Sequence, residues 1–217
     1  MKLFASALTL LLTWSSISSA AIIGSFTPIT SEASTTPPAG YVSQSLSVNA
    51  TTDWLASNLI VTLSQGSFYQ DAIISGFGPP SSALVGAIPS TRWDTYVTGS
   101  LGLDGGSPAS AGGAVDLGGS PTATFSTTHI DLNWFTTSTN DVGTFTLGRF
   151  TLTDNAEGTF TLRLDSLGQN APFLLTGIVH NGYFTAVPEV GTLMLSGISV
   201  LASVAAIKLR RKSSRTV

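Results

Sequence analysis

The sequence predicts an all-β protein: a single antiparallel β-sandwich or jelly-roll-like domain, flanked by an N-terminal signal helix and a C-terminal transmembrane helix. Three observations carry that prediction. Short segments alternate apolar and polar residues with period two, turn-forming residues punctuate them, and no stretch between the termini has the 3.6-residue apolar periodicity of an amphipathic helix. Many short strands at turn-length intervals fold as two packed sheets.

Residues 21–40 read as a linker and first extended segment, because Ser31 to Gly40 contains nothing that packs. The β domain is expected over 41–186. In Ser57 to Ser64, Leu59, Val61 and Leu63 alternate with Asn58, Ile60 and Thr62, so apolar residues fall on both faces, as in a central strand. Trp93–Val97, Thr122–Phe125 and Ile130–Phe135 are further strands. Val142 to Leu164 reads as a hairpin. Phe160, Leu162 and Leu164 share one face, while the phase of the apolar residues changes across Gly148-Arg149, which a one-residue bulge at Gly148 restores. The turn is placed at Asn155-Ala156-Glu157-Gly158, with Gly158 suited to a positive φ. A second hairpin joins Phe173–Val179 to Tyr183-Phe184 through Asn181-Gly182, the strongest short hairpin signal.

The composition excludes several functions. The 217 residues include no cysteine, so disulfides, thiolate metal sites and cysteine nucleophiles are ruled out. The net charge of −3 hides an asymmetry. Between residues 21 and 188 three arginines (Arg92, Arg149, Arg163) face eleven acids, a balance of −8 with no lysine. Such a domain repels phosphate backbones, so nucleic acid is not a partner.

The basic residues collect at the C-terminus, and the ends of the chain carry its clearest signals. Lys2, the apolar run Leu3–Trp14 and the small residues Ser18-Ser19-Ala20 have the order of a secretory signal peptide over 1–20, with signal peptidase expected to cut after Ala20 or Ala21. The alternative is a buried N-terminal helix. At the other end, 187–217 reads as a tail. Gly191 to Ile207 is seventeen residues without a charge. As a helix it spans roughly 26 Å, near the lower limit for a bilayer. Lys208, Arg210, Arg211 and Lys212 follow, within the basic end 208–217, and the positive-inside rule holds them in the cytoplasm with the domain outside.

Before this span stands Val187-Pro188-Glu189-Val190-Gly191-Thr192-Leu193. Motif, span and basic cluster, in that order, resemble the PEP-CTERM sorting tail of exported bacterial proteins. The resemblance covers about residues 187–212, with Val190 standing where the family pattern has a second proline. It implies processing by an exosortase near Pro188-Glu189 and association with exopolysaccharide or biofilm matrix. The strand pattern, from Gly143 to Leu164 in particular, resembles cohesin-like exported β-sandwich modules in architecture, and that resemblance carries no functional residues.

Catalytic chemistry finds little support. A hydrolase lacks the Gly-x-Ser-x-Gly elbow, and no phosphate or dinucleotide loop appears, so no cofactor is expected. His129 and His180 with Asp131 are the only approach to a zinc set, and both histidines read as structural. The Gly/Ser-rich stretch Leu101–Pro121 reads as a surface loop; the sharper alternative is a calcium loop through Asp104 and Asp116, which supply too few ligands alone. Two roles stay open for the tryptophans. Trp54, next to Asp53, and Trp93, next to Asp94, are either core packing or sugar-stacking contacts of a carbohydrate-binding module. The expectation is an exported, non-enzymatic envelope or matrix protein. A polysaccharide-binding module is the alternative, and a secreted hydrolase stands third.

Overall fold

The computed structural model describes residues 21–73, 77–99, 109–110 (backbone only), 123–136 and 141–187. The expected terminal helices, Pro188, Glu189, Val190, the four cations at 208–212, and Asp104 and Asp116 lie outside the described residues.

Within them the chain is all-β, in two antiparallel sheets with the apolar core between, the arrangement of a β-sandwich. The strands are β1 (Ile22–Ile29), β2 (Tyr41–Ala50), β3 (Trp54–Gln65), β4 (Tyr96–Val97), β5 (Ala109–Ser110), β6 (Thr124–Phe125), β7 (His129–Phe135), β8 (Gly143–Thr153), β9 (Glu157–Ser166), β10 (Phe173–His180) and β11 (Tyr183–Ala186). The smaller sheet runs β1-β2-β8-β4 and the larger β11-β10-β9-β3-β7-β5, with β6 also on β7. A short helix α1 (Ser82–Ala87) and a 3₁₀ turn (Pro89–Trp93) interrupt the strands. Six residues are too few to show helical periodicity, and the Ser81 side chain caps the helix by accepting from the Leu84 N–H.

Period two decides which residues the core receives. Leu59, Val61 and Leu63 of β3 face Leu162 and Phe160 of β9 and Leu132 and Ile130 of β7, all buried. Leu46, Val48, Leu147, Phe150 and Leu152 close the core from the smaller sheet. The bulge expected at Gly148 is present. Leu46 pairs with Gly148 and Ser47 with Thr146, so Leu147 is the extra residue, and the apolar residues on either side of it face one way. The Asn181-Gly182 turn also forms as expected. His180 pairs with Tyr183, and both turn residues have positive φ, 50° and 77°.

Four expectations are corrected. First, Val142–Leu164 is not a hairpin. β8 belongs to the smaller sheet and β9 to the larger, so the chain crosses the sandwich between them. Ala156, fully buried, sits in the crossover, and both strands keep their apolar face toward the same core. Second, Gly158 does not have a positive φ. It lies where β9 presses on β3, and a Cβ there would stand 2.3 Å from the Thr62 carbonyl oxygen. Third, the folded unit begins before Tyr41. β1 pairs with β2 along its whole length, from Ile22↔Ala50 to Ile29↔Ser43. Gly24 lets this edge strand approach β9, since a Cβ would meet Leu164 Cδ1 at 2.7 Å. Fourth, of the Trp93–Val97 strand only Tyr96–Val97 is extended and paired, because Trp93 closes the 3₁₀ turn.

Main-chain hydrogen bonds gather the loops at two ends. At one, Thr51 N–H donates to Ala21 (2.7 Å), Trp54 N–H to Asp141 (3.0 Å) and Leu167 N–H to Asp53 (2.8 Å). At the other, Asp154 N–H donates to Gly40 (2.9 Å) and Gly182 N–H to Ala156 (3.0 Å). These are the Ala21 end and the Gly182 end of the sandwich.

Candidate functional site

Both candidate sugar-stacking tryptophans lie inside. Trp54 is fully buried and donates its indole N–H to Ser57 Oγ at 2.9 Å. Trp93 is 2% exposed. A sugar ring needs an open aromatic face, and neither residue offers one; Trp134 is buried too, donating to the Thr98 carbonyl at 3.2 Å.

Trp93 instead helps to enclose a charge cluster that sequence reasoning missed. Residues 67–69 and β4 share the edge of β8 that β2 leaves free: Phe68 bridges Leu152, and Tyr96 and Val97 pair with Arg149 and Gly148. Arg149 lies on the face of β8 away from the core, since Phe150 takes the core face. Its guanidinium carbon is 5.4 Å from the Trp93 ring centre and 5.8 Å from that of Tyr96. One guanidinium nitrogen donates to the Arg92 carbonyl and the other to Glu32 Oε2, while Arg92 donates to Glu32 Oε1 at 3.2 Å. Glu32 thus ties the β1–β2 connection, expected to pack against nothing, to the far edge of the sheet. The signal that would have found it is scarcity: a domain with three arginines places two of them, Arg149 and Arg163, inside alternating strands.

Beside this lies an acid pair. Asp94 is 1% exposed and accepts from the Asp71 N–H at 2.9 Å. Asp71 in turn accepts from the Ser90 hydroxyl at 3.1 Å. Burial pushes the Asp94 carboxyl up to about 7, and the neighbouring Asp71 charge adds to the rise; hydrogen bonds from the Asp71 and Thr95 main chain oppose it. Burial also raises the Tyr69 phenol, with Asp71 next in effect. Burial raises the Tyr96 phenol as well, with Arg149 opposing.

A carboxyl near 7 suits a general acid, but proton transfer needs a reacting group in reach. Asp94 is closed from solvent and held by the main chain. The histidines lie elsewhere, on the larger sheet. His129 is on β7 and His180 ends β10, with β3 and β9 between them. That is three strand spacings, about 14 Å, so the two imidazoles do not share a metal. His129 Nδ1 is 3.1 Å from Thr62 Oγ1, and His180 Nδ1 is 3.0 Å from Glu157. Among the described residues no serine hydroxyl bonds either imidazole, and no group of three or more His, Cys, Asp or Glu is placed to hold a metal.

The outward face of the larger sheet carries a shallow groove of about 380 Å³, lined by Thr62, Ser64, Glu157, Gly158, Thr159, Ile178 and Val179. Thr62, Thr159 and Ile178 form one row across three strands. Hydroxyls, a carboxylate and the exposed sec-butyl side chain of Ile178 therefore meet in one hollow.

Of the sorting motif, only Val187 is described. It is half exposed and donates its N–H to Thr176 at 3.0 Å, one residue beyond β11. Among the described residues this is the last ladder bond, and Pro188, next in sequence, has no N–H to give. No family model matches the chain, and no curated protein matches it significantly. Among the described residues no helix is long and apolar enough to cross a membrane.

Proposed function

We propose that this is an exported, non-enzymatic protein of the cell envelope or extracellular matrix, a β-sandwich delivered by its N-terminal signal peptide and held by a PEP-CTERM-like tail. In this reading Gly191–Ile207 spans the membrane, Lys208–Lys212 stays cytoplasmic, and an exosortase acts near Pro188-Glu189. The observation that carries it is the order of the parts: a lysine-free, acidic β-sandwich stands between an N-terminal apolar run ending in small residues and a C-terminal Pro-Glu motif, uncharged run and basic cluster. Among the described residues the hydrogen bonds of the sandwich run from Ala21 to Val187.

The Ala21 carbonyl accepts from both the N–H and the hydroxyl of Thr51. A cut after Ala20 keeps that acceptor, whereas a cut after Ala21 orphans the Thr51 N–H. The test is the intact mass of the protein recovered from membrane and extracellular fractions. The expected N-terminus is Ala21, with a C-terminus either full length in the membrane or near Pro188 outside it. A chain that starts at Met1 and stays in the cytoplasm overturns the proposal.

One observation favours a second reading, binding of matrix polysaccharide. The groove at Thr62, Thr159 and Ile178 combines hydroxyl partners with an apolar surface, the two features a sugar ring presents. The tryptophans play no part in it.

A further inference from the structure

We propose that the Ala21 end of the sandwich rests on the bilayer, with Ile23, Leu55, Val142 and Leu167 as its membrane contacts. The proposal rests on the anchored reading above and adds to it an orientation and a surface.

Two observations converge on it. The first is where the exposed apolar side chains lie. Ile23 is 51% exposed, Leu55 41%, Val142 51% and Leu167 56%. Each is within two residues of a hydrogen bond that gathers the Ala21 end: Thr51 to Ala21, Trp54 to Asp141, or Leu167 to Asp53. Four large apolar residues thus surround one end of the molecule. The Gly182 end is built instead from Gly40, Asp154, Asn155, Glu157, His180 and Asn181. Leu174, 42% exposed and second in β10, lies near the same end; Ile73 lies in a loop, and Ile178, Tyr183 and Val187 lie farther along β10, on β11 and just beyond it.

The second is where the chain leaves the fold. β11 starts at the Gly182 turn and runs toward the Ala21 end. Ala186 pairs with Gly177, and Val187 bonds to Thr176. From Thr176 to Phe173, where β10 begins at the Ala21 end, there are three rows, about 10 Å. Only residues 188–190 separate Val187 from the uncharged segment. Four peptide steps reach about 14 Å at most, enough to bring Gly191 to the Ala21 end. The Gly182 end lies farther from Val187 and against the direction of the strand. A tether this short holds the domain at the surface that the span enters.

The contact is apolar rather than electrostatic. Among the described residues the Ala21-end loops, residues 51–53, 141–142 and 167–172, contain no lysine or arginine. Asp53, half buried there, disfavours an anionic surface, and Asp141 is buried. The fitting partner is therefore a zwitterionic or neutral lipid surface.

The absence of cysteine makes single-cysteine labelling clean. Full-length Leu167→Cys and Val142→Cys, with Asn155→Cys for the opposite end, would each carry an environment-sensitive fluorophore. They would be reconstituted into zwitterionic vesicles with and without lipids spin-labelled at the headgroup. Blue-shifted, lipid-quenched emission at 142 and 167, with unquenched emission at 155, is the expected result. Protein that floats with the vesicles while its probes at 142 and 167 stay unquenched, or are quenched no more than that at 155, overturns the orientation and leaves the anchored reading intact. Protein that does not float with the vesicles overturns both.

Discussion

Asp94 makes stability depend on pH in a direction opposite to that of most carboxylates. In the folded protein its carboxyl keeps a proton up to about 7, against an ordinary value of 3.8. In the unfolded chain the same group ionises near its ordinary value. Between about pH 4 and pH 7 folding therefore takes up a proton, and the free energy of unfolding falls as pH rises through that window; above it this group adds no further slope. A shift of about three units at 1.36 kcal/mol each sets an upper bound of about 4 kcal/mol, and relaxation around a buried group reduces this to about 2 kcal/mol. The perturbation is Asp94→Asn, which keeps an Oδ1 acceptor for the Asp71 N–H but cannot ionise. Urea unfolding would be followed by tryptophan fluorescence, with buried Trp93 next in sequence as a reporter. From pH 4.5 to pH 8 the variant is expected to gain about 2 kcal/mol on the wild type. Titrations shared by the two proteins cancel in the difference. Tyr69 and Tyr96 stay neutral throughout, because both are raised above 10. A difference that is flat with pH, or that favours the wild type as pH rises, refutes the reasoning.

Two further outcomes are expected. Glu32→Gln leaves the Arg149 guanidinium, buried between Trp93 and Tyr96, without its carboxylate. It should cost about 2–3 kcal/mol in urea unfolding, and Arg149→Met in the same chain should recover part of that loss, since the charge leaves with its partner. In the groove, Thr62→Arg with Thr159→Arg replaces two exposed side chains, so folding should be unchanged while affinity for a neutral polysaccharide falls about tenfold or more in a pull-down titration; unchanged binding removes the groove from consideration.

What the sequence made legible was local. β3, β7 and the bulge at Leu147-Gly148 follow from period two, and the β10–β11 hairpin follows from the backbone needs of Asn181-Gly182. Pairing partners over long distance were not legible. A short turn between two alternating strands describes a hairpin and a crossover equally well. Here the outcome depends on Ala156 being small enough to be buried between the sheets and on Gly158 admitting the β3 backbone. β1 was legible only as an extended segment outside the domain, because Gly24 and Pro28 dilute its alternation, although Gly24 is there for the close approach to Leu164. Of the site residues, the tryptophans were named from their chemistry, but burial is decided by strands remote in sequence. The cluster of Glu32, Arg92 and Arg149 joins residues up to 117 apart, a separation that no periodicity spans.

That cluster also limits what the protein can bind. Two of the three arginines between residues 21 and 188 are committed to Glu32, and the third, Arg163, forks onto Asp165 through Nε at 2.9 Å and a terminal nitrogen at 3.1 Å. No cation of this region is left to receive a uronate, sulfate or phosphate. Glu157, beside the groove, has its carboxyl held below the usual range, first by the Asn181 N–H and then by His180, so it is ionised at neutral pH. A polyanion approaching this face therefore meets the Glu157 carboxylate and no free guanidinium to pair with. If the outward sheet binds matrix polysaccharide, the polymer is neutral or carries amines. Raising the salt concentration would then leave the affinity for a neutral chain unchanged, because no ion pair forms for salt to screen.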